Sequence, residues 1–302
     1  MKYDTIFSVV IPLFNKAKNL NRAIASVQSA IRNRNIEIIV VDDGSTDGSG
    51  ALLEQHALSD IRVRAIHQGN AGASSARNTG IKASNSDFIL LLDADDFWLN
   101  RHLDVIEKMI HLRPTSALHA AAYSKNAGGK IIEQDFYCTP KNESGILHAY
   151  FLSMSYGAMP VSASSVCIPR STVFKIGGFE LGKTHGEDRI YWAKCALHGD
   201  INWSPEVSAI YDTDADHRST TTWTPAKASA YLNFLKKSRK DLLDLPYSLV
   251  TDELSTMLQE NILSEMFYLA QNSLDRGFIK EAKKFKNNLL MDGYVPSALI
   301  KI

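Results

Sequence analysis

Apolar residues along this chain come in short runs that stop abruptly in carboxylates. Ile36-Glu37-Ile38-Ile39-Val40-Val41 ends in Asp42-Asp43, and Phe88-Ile89-Leu90-Leu91-Leu92 ends in Asp93-Ala94-Asp95-Asp96. Runs of this length and dryness predict buried strands. Phe7 to Ile11 and Ile61 to Ile66 predict two more. Between them the spacing changes to that of helices, with Leu20, Ala23, Ile24, Val27 and Ile31 on one face, then Leu52 and Leu53, and then the segment from Gly72 to Ala83. Leu103, Ile106, Met109 and Ile110 form the apolar face of a further helix. Strand and helix alternating in this way imply an α/β fold with a mostly parallel sheet and helices on both faces.

The pattern loosens from Ala117 to Ser165, where Asn126-Ala127-Gly128-Gly129 reads as a turn and Tyr156 to Pro160 as a loop. A short strand is expected over Ser165 to Pro169 and a helix over Arg170 to Ile176, stopped by Gly177-Gly178. Another helix is expected from Glu187 to Leu197, ending near Gly199. After Thr224-Pro225 strand signals fade. Leu232, Leu235, Leu242 and Leu243, then Leu254, Leu258, Ile262, Met266 and Leu269, give amphipathic stripes broken by Asp244-Leu245-Pro246 and Arg276-Gly277. These predict a C-terminal helical appendage that packs on the rest of the chain or on a second copy.

Composition narrows the class. At 302 residues and 45% hydrophobic content the chain can bury a large core, and Lys+Arg and Asp+Glu balance at 33 each. No global field therefore draws it to nucleic acid. Cys138, Cys167 and Cys195 lack metal-ligand spacing and read as buried small hydrophobes in a reducing compartment. The N-terminus enters a strand without a basic region and apolar core ahead of it, which argues against a secretory signal. No stretch approaches the ~18 apolar residues of a membrane span.

Three carboxylates packed after a dry strand repel one another unless a cation or hydrogen-bond donors neutralise them. Oxygen ligands at that density suit Mn²⁺ or Mg²⁺, ions that keep open positions for substrate phosphates. The carboxyl ends of strands in an open α/β sheet form the crevice where ligands bind, so two acidic strand ends in one half of the chain point to a single site.

Four motifs in order make the chain resemble the family 2 glycosyltransferases over roughly residues 5 to 220. They are Ser8-Val9-Val10-Ile11-Pro12-Leu13-Phe14-Asn15, Asp42-Asp43-Gly44-Ser45-Thr46-Asp47, Gly72-Ala73-Ser74-Ser75-Ala76-Arg77-Asn78-Thr79-Gly80 and Asp93-Ala94-Asp95-Asp96. The resemblance implies the GT-A (Rossmann-like) fold over about 1–224, with a nucleotide-binding half to about 116 and an acceptor half from about 117, before the helical region at 225–302. It implies that Asp95 ligates the metal bridging the donor diphosphate and that Asp93 lies near the ribose and the metal's water shell. Asp43 would hydrogen-bond uracil beside Pro12, Phe14 and Asn15, while Asp42 is equally a loop-capping carboxylate. Arg77 and Asn78 would lie near the diphosphate, and His217-Arg218-Ser219-Thr220 is similar to a family segment whose His completes the metal site in some members. Gly186-Glu187-Asp188 matches the acidic pair beside the acceptor. Asp188 matches the residue usually assigned as base, and Glu187 is the alternative one position earlier. Asp96 has a structural reading, as an acceptor for backbone groups, and Trp192, one turn beyond Asp188, could floor the sugar site, although an aromatic at helical spacing is more often core.

The implied activity is metal-dependent, inverting transfer of a sugar from a UDP-sugar donor to a saccharide or lipid-linked saccharide, in bacterial surface-polysaccharide assembly. The expected setting is cytoplasmic, with peripheral contact at the inner membrane face and self-association through the C-terminal helices left open. Dehalogenase-type phosphatases and dinucleotide dehydrogenases fit poorly, because the chain continues Asp96-Phe97-Trp98 and has Pro12-Leu13-Phe14-Asn15 where a Gly-rich loop would stand. The remaining rival is a GT-A-like domain that binds a nucleotide sugar without turnover.

Overall fold

The computed structural model describes residues 7–32, 34–156, 158–183, 185–214, 224–243 and 252–291. Its first half follows the expected alternation. The elements are β1 (Phe7–Leu13), α1 (Ala17–Ile31), β2 (Ile36–Asp42), α2 (Ser49–Ser59), β3 (Val63–His67), α3 (Ala73–Ala83), β4 (Phe88–Leu91), β5 (Phe97–Trp98) and α4 (His102–Leu112). The second half adds β6 (Leu118–Ala127), β7 (Lys130–Ile132), β8 (Gly145–Ile146), α5 (Tyr150–Ser153), β9 (Val166–Pro169), α6 (Arg170–Ile176), α7 (Glu187–His198) and β10 (Ile201–Asp212). Helices α8 (Pro225–Leu243), α9 (Asp252–Asp275) and α10 (Ile279–Met291) follow.

One sheet runs in the order β3-β2-β1-β4-β9-β6-β10-β5. The pairs β3-β2, β2-β1 and β1-β4 are parallel, as the dry runs of the first half require. Beyond β4 the sheet is mixed: β9 lies antiparallel to β4 and β6, β6 is parallel to β10, and β10 is antiparallel to β5. β6 and β10 are long strands in stretches with little strand signal. Leu118–Ala127 is rich in alanine, a helix former, and Ile201–Asp212 carries Pro205 and Glu206 where its register against β6 shifts. Burial of both faces by the surrounding helices overrides those local preferences.

Register brings the acidic loops together. Leu13 pairs with Asp42, Asp42 with His67, and the Leu92 N–H donates to the Val10 carbonyl at 3.1 Å, so the chain leaves β1, β2 and β4 at one end of the sheet. Helix α3 approaches β1 so closely that a Cβ on Gly80 would sit 2.3 Å from Val10 Cγ1. Gly80→Ala should therefore cost about 1–3 kcal/mol by overpacking, read as a lower urea midpoint at unchanged slope. An unchanged midpoint would mean that α3 has room to move away.

Most of the apolar stripes of the C-terminal helices are spent on packing, although Leu243 stays exposed. Tyr231, Leu232 and Leu235 of α8 and Leu258, Ile262, Met266 and Leu269 of α9 are buried, with α8 against α7 and α9 against α5. Of the cysteines, Cys167 and Cys195 are buried as expected, whereas Cys138 lies exposed in the loop after β7. Among the described residues no helix is long and apolar enough to cross a membrane.

Candidate active site

The loops after β1 and β2 are stitched together. Asn15 adopts a left-handed φ of 52°, which Asn tolerates better than most residues; its N–H donates to Ser45 Oγ at 3.0 Å and its Oδ1 accepts from the Thr46 N–H at 2.8 Å. Asp42 takes the loop-capping role, accepting from the Ser45 N–H and from His67 Nδ1, both at 3.0 Å. Asp43, 3% exposed, ties this loop to the segment before α3: its Oδ1 accepts from Gln68 Nε2 at 2.7 Å and the Ala71 N–H at 2.9 Å, and its Oδ2 from the Gly72 N–H at 2.8 Å. With two lone pairs per carboxylate oxygen, Oδ2 keeps one acceptor position. Phe14 leaves β1 with its ring exposed, beside the half-buried Pro12.

In the acidic loop after β4, Asp96 is tied into the fold while Asp93 and Asp95 each meet a cationic side chain. Asp96 is buried, accepts from the Ser164 hydroxyl and from the Asp212 N–H at 2.8 Å, and so fastens the loop to the end of β10. Burial, then Asp95 and Asp93, push its pKa well above the usual carboxylate range. Asp95 meets Lys16 Nζ at 2.8 Å, and the Asp95 carbonyl accepts from Arg22 at 2.7 Å. Arg22 also pairs with Asp212 and lies 4.6 Å from the Phe97 ring centroid. Asp93 accepts from Arg77 at 2.8 Å.

Arg77 connects the two acidic motifs. It is 4% exposed and reaches Glu187 at 3.2 Å with its other terminal nitrogen. Burial opposes its charge, but Asp93 and Glu187 outweigh that and hold its pKa above the ordinary arginine value. Glu187 moves the other way: burial and then Asp188 raise its pKa, partly offset by Arg77. Asp188, next along in the first turn of α7, accepts the Arg189 N–H at 2.7 Å. Asn78 holds the turn before α7, donating to the Phe179 carbonyl and accepting from the Phe179 N–H, both at 2.8 Å. Trp192 is 1% exposed, packed edge-on against Phe179 and Tyr191, and belongs to the core.

Asp93, Arg77, Glu187 and Asp188 line one cleft of about 630 Å³ together with Glu265 and Tyr268 of α9. Arg189 lines the same cleft, held in an ion pair with Glu265 at 3.1 and 2.5 Å and stacked 4.0 Å over the Tyr231 ring. His217 and Arg218 lie outside the described residues. Among the described residues no group of three or more His, Cys, Asp or Glu side chains is arranged to hold a metal. Asp95 with Asp93 fits the smaller requirement of Mn²⁺ or Mg²⁺ bound through one or two carboxylates and substrate phosphates. Lys16 and Arg77 show that both carboxylates already attract cations. Lys16, Arg22, Arg189 and Glu265 carried no motif in the sequence; only the position of Lys16 directly after Asn15 hinted at a basic group in this loop.

Residues 8–156 match the family model described as Glycosyl transferase family 2. An uncharacterized glycosyltransferase of Rickettsia conorii is 36% identical over 200 residues, 66% of this chain and 31% of that protein. Among solved structures, S. aureus TarS in complex with UDP-GlcNAc superposes with a TM-score of 0.73 at 15% identity, covering 98% of this chain and 83% of that one. The mannosyltransferase PcManGT from Pyrobaculum calidifontis, in complex with GDP-Man and Mn²⁺, gives a TM-score of 0.63 at 16% identity, covering 97% and 77%. Residues 8–156 are a family 2 glycosyltransferase domain, and the chain has the GT-A fold of these solved structures. The matched stretches span about a quarter to a third of the length of the first curated relatives.

Proposed function

We propose that this protein transfers a sugar, with inversion, from a nucleoside-diphosphate donor, UDP-linked, to a saccharide or lipid-linked saccharide. The observation that carries the reading is Arg77 bridging Asp93 and Glu187, which joins the carboxylate loop of a donor site to an acidic pair in one cleft. Phe14 and Pro12 would stack on and flank the base, and the remaining acceptor position of Asp43 suits a ring N–H. Asp95 and Asp93 would hold Mn²⁺ or Mg²⁺, which when bound neutralises charge on the leaving diphosphate. Lys16 against Asp95 and Arg77 against Asp93 keep the two carboxylates from repelling one another before donor arrives. His217 and Arg218 remain candidates for the same diphosphate. Asn78 is proposed to act on the donor indirectly, by fixing the turn that leads to α7.

Asp188 rather than Glu187 is the proposed base. Glu187 spends an oxygen on the Arg77 guanidinium, whereas Asp188 lines the cleft and accepts one backbone bond. A carboxylate at the start of α7 is also favoured by the helix dipole, where it can take the acceptor's proton. Cytoplasmic assembly of a surface polysaccharide is the proposed setting, since it supplies both donor and acceptor of these kinds.

Titrating UDP by calorimetry in Mn²⁺ and in EDTA tests the donor half. UDP should bind in Mn²⁺ and lose most of its affinity in EDTA, and Asp95→Ala in Mn²⁺ should resemble the unmodified protein in EDTA. Equal affinities in the two buffers would remove the metal, and GDP binding more tightly than UDP would reassign the nucleotide.

A further inference from the structure

Asn261, Ser264, Glu265 and Tyr268 of α9 recur at i, i+3, i+4 and i+7, so they form one face of that helix. The first three are fastened to the body of the protein. Asn261 accepts from Tyr231 at 2.8 Å and donates to Ser155 Oγ at 3.3 Å, Ser264 donates to the Ser155 carbonyl at 3.2 Å, and Glu265 holds Arg189, the neighbour of Asp188. The fourth, Tyr268, is 45% exposed and lines the same cleft as Asp188. Its ring is thus carried on a face whose preceding two turns are hydrogen-bonded to the rest of the protein, in the cleft it shares with the carboxylate proposed to take a proton from a sugar hydroxyl. Met159 and Lys125 border the same space.

From this arrangement we infer that α9 forms a wall of the acceptor subsite and that Tyr268 is its sugar-stacking platform. The inference rests on the function proposed above and adds to it the residue that receives the acceptor. A pyranose ring has an apolar face of C–H groups and an edge of hydroxyls. Tyr268 offers an aromatic surface to the first, and Asp188 and Lys125 offer charged partners to the second. Tyrosine suits the task because it presents a large amphipathic surface with little conformational freedom to lose. It also gives the helical region a part in recognition, beyond its part in packing.

Saturation-transfer NMR on the UDP-loaded protein tests it, with methyl glycosides of glucose, galactose, mannose and N-acetylglucosamine and the disaccharides lactose and maltose as probes. At least one probe should bind. Tyr268→Ala should weaken that binding by about tenfold, Tyr268→Phe should keep it, and UDP affinity and melting temperature should be the same in all three proteins. Equal glycoside affinity in Tyr268→Ala would overturn the platform. No glycoside binding to the unmodified protein, with UDP bound, would overturn the subsite and leave the donor reading standing. Failure to bind UDP would remove the donor reading and this inference with it.

Discussion

Asp188→Asn should slow sugar transfer by about two to four orders of magnitude while leaving UDP affinity nearly unchanged. A sugar hydroxyl is a poor nucleophile near neutral pH, so its proton has to leave as the new bond forms. A positioned carboxylate supplies that step, and Asn keeps its shape and loses its basicity. The fold should hardly notice. The helix starts after Gly186, Asn can accept the same N–H of Arg189, and the lost charge at the start of α7 costs about 0.3–1 kcal/mol. If Asp188 only steadied the helix, both rate and melting temperature would stay near normal. Initial rate, UDP affinity and melting temperature on one preparation therefore separate the two roles, and a mutant within a few-fold of the normal rate would move the base to Glu187.

The largest effect on stability should come from Glu265→Ala, with a loss of about 3–5 kcal/mol in urea unfolding. Glu265 is 4% exposed and is the carboxylate partner of Arg189. Burial opposes the guanidinium charge of Arg189, and Glu265 is the first group that outweighs it, holding the pKa above the ordinary arginine value. Removing the carboxylate strands a cation between α7, α8 and α9. Replacing both partners with Leu and Met should restore most of the stability, because the desolvation cost disappears along with the pair. A single mutant that loses under ~1 kcal/mol would show that the pair behaves as a solvated surface contact.

The nucleotide-binding half was legible because buried parallel strands leave little choice of residue, so Ile36–Asp42 and Phe88–Leu91 announce themselves as apolar runs and the carboxylates mark where they stop. β6 and β10 were not. Their alanines and Pro205 become strand through sheet pairing and helix cover that no local window contains. The same limit applies to the site. Asp93, Asp95, Glu187 and Asp188 stood out as motifs, but Arg77 between Asp93 and Glu187, Lys16 against Asp95, and Glu265 against Arg189 are pairings across distant parts of the chain. Asp96 looked like its neighbours in sequence, and burial beneath Ser164 and the Asp212 N–H gives it a different task. Tyr268 carried no signal, since an aromatic on an amphipathic helix reads as core until the cleft beside it is seen.

Transfer itself is the most direct test. The protein would be incubated with a panel of UDP- and GDP-sugars and the same glycosides, in Mn²⁺ and in EDTA, with products followed by mass spectrometry and by release of the nucleoside diphosphate. A UDP-sugar should yield a glycosylated product in Mn²⁺, EDTA should stop it, and Asp188→Asn should bind the donor normally while forming product about two to four orders of magnitude more slowly. Saturable nucleotide binding with neither transfer nor donor hydrolysis, for any donor in the panel, would contradict the proposed transfer and make the chain a binding domain.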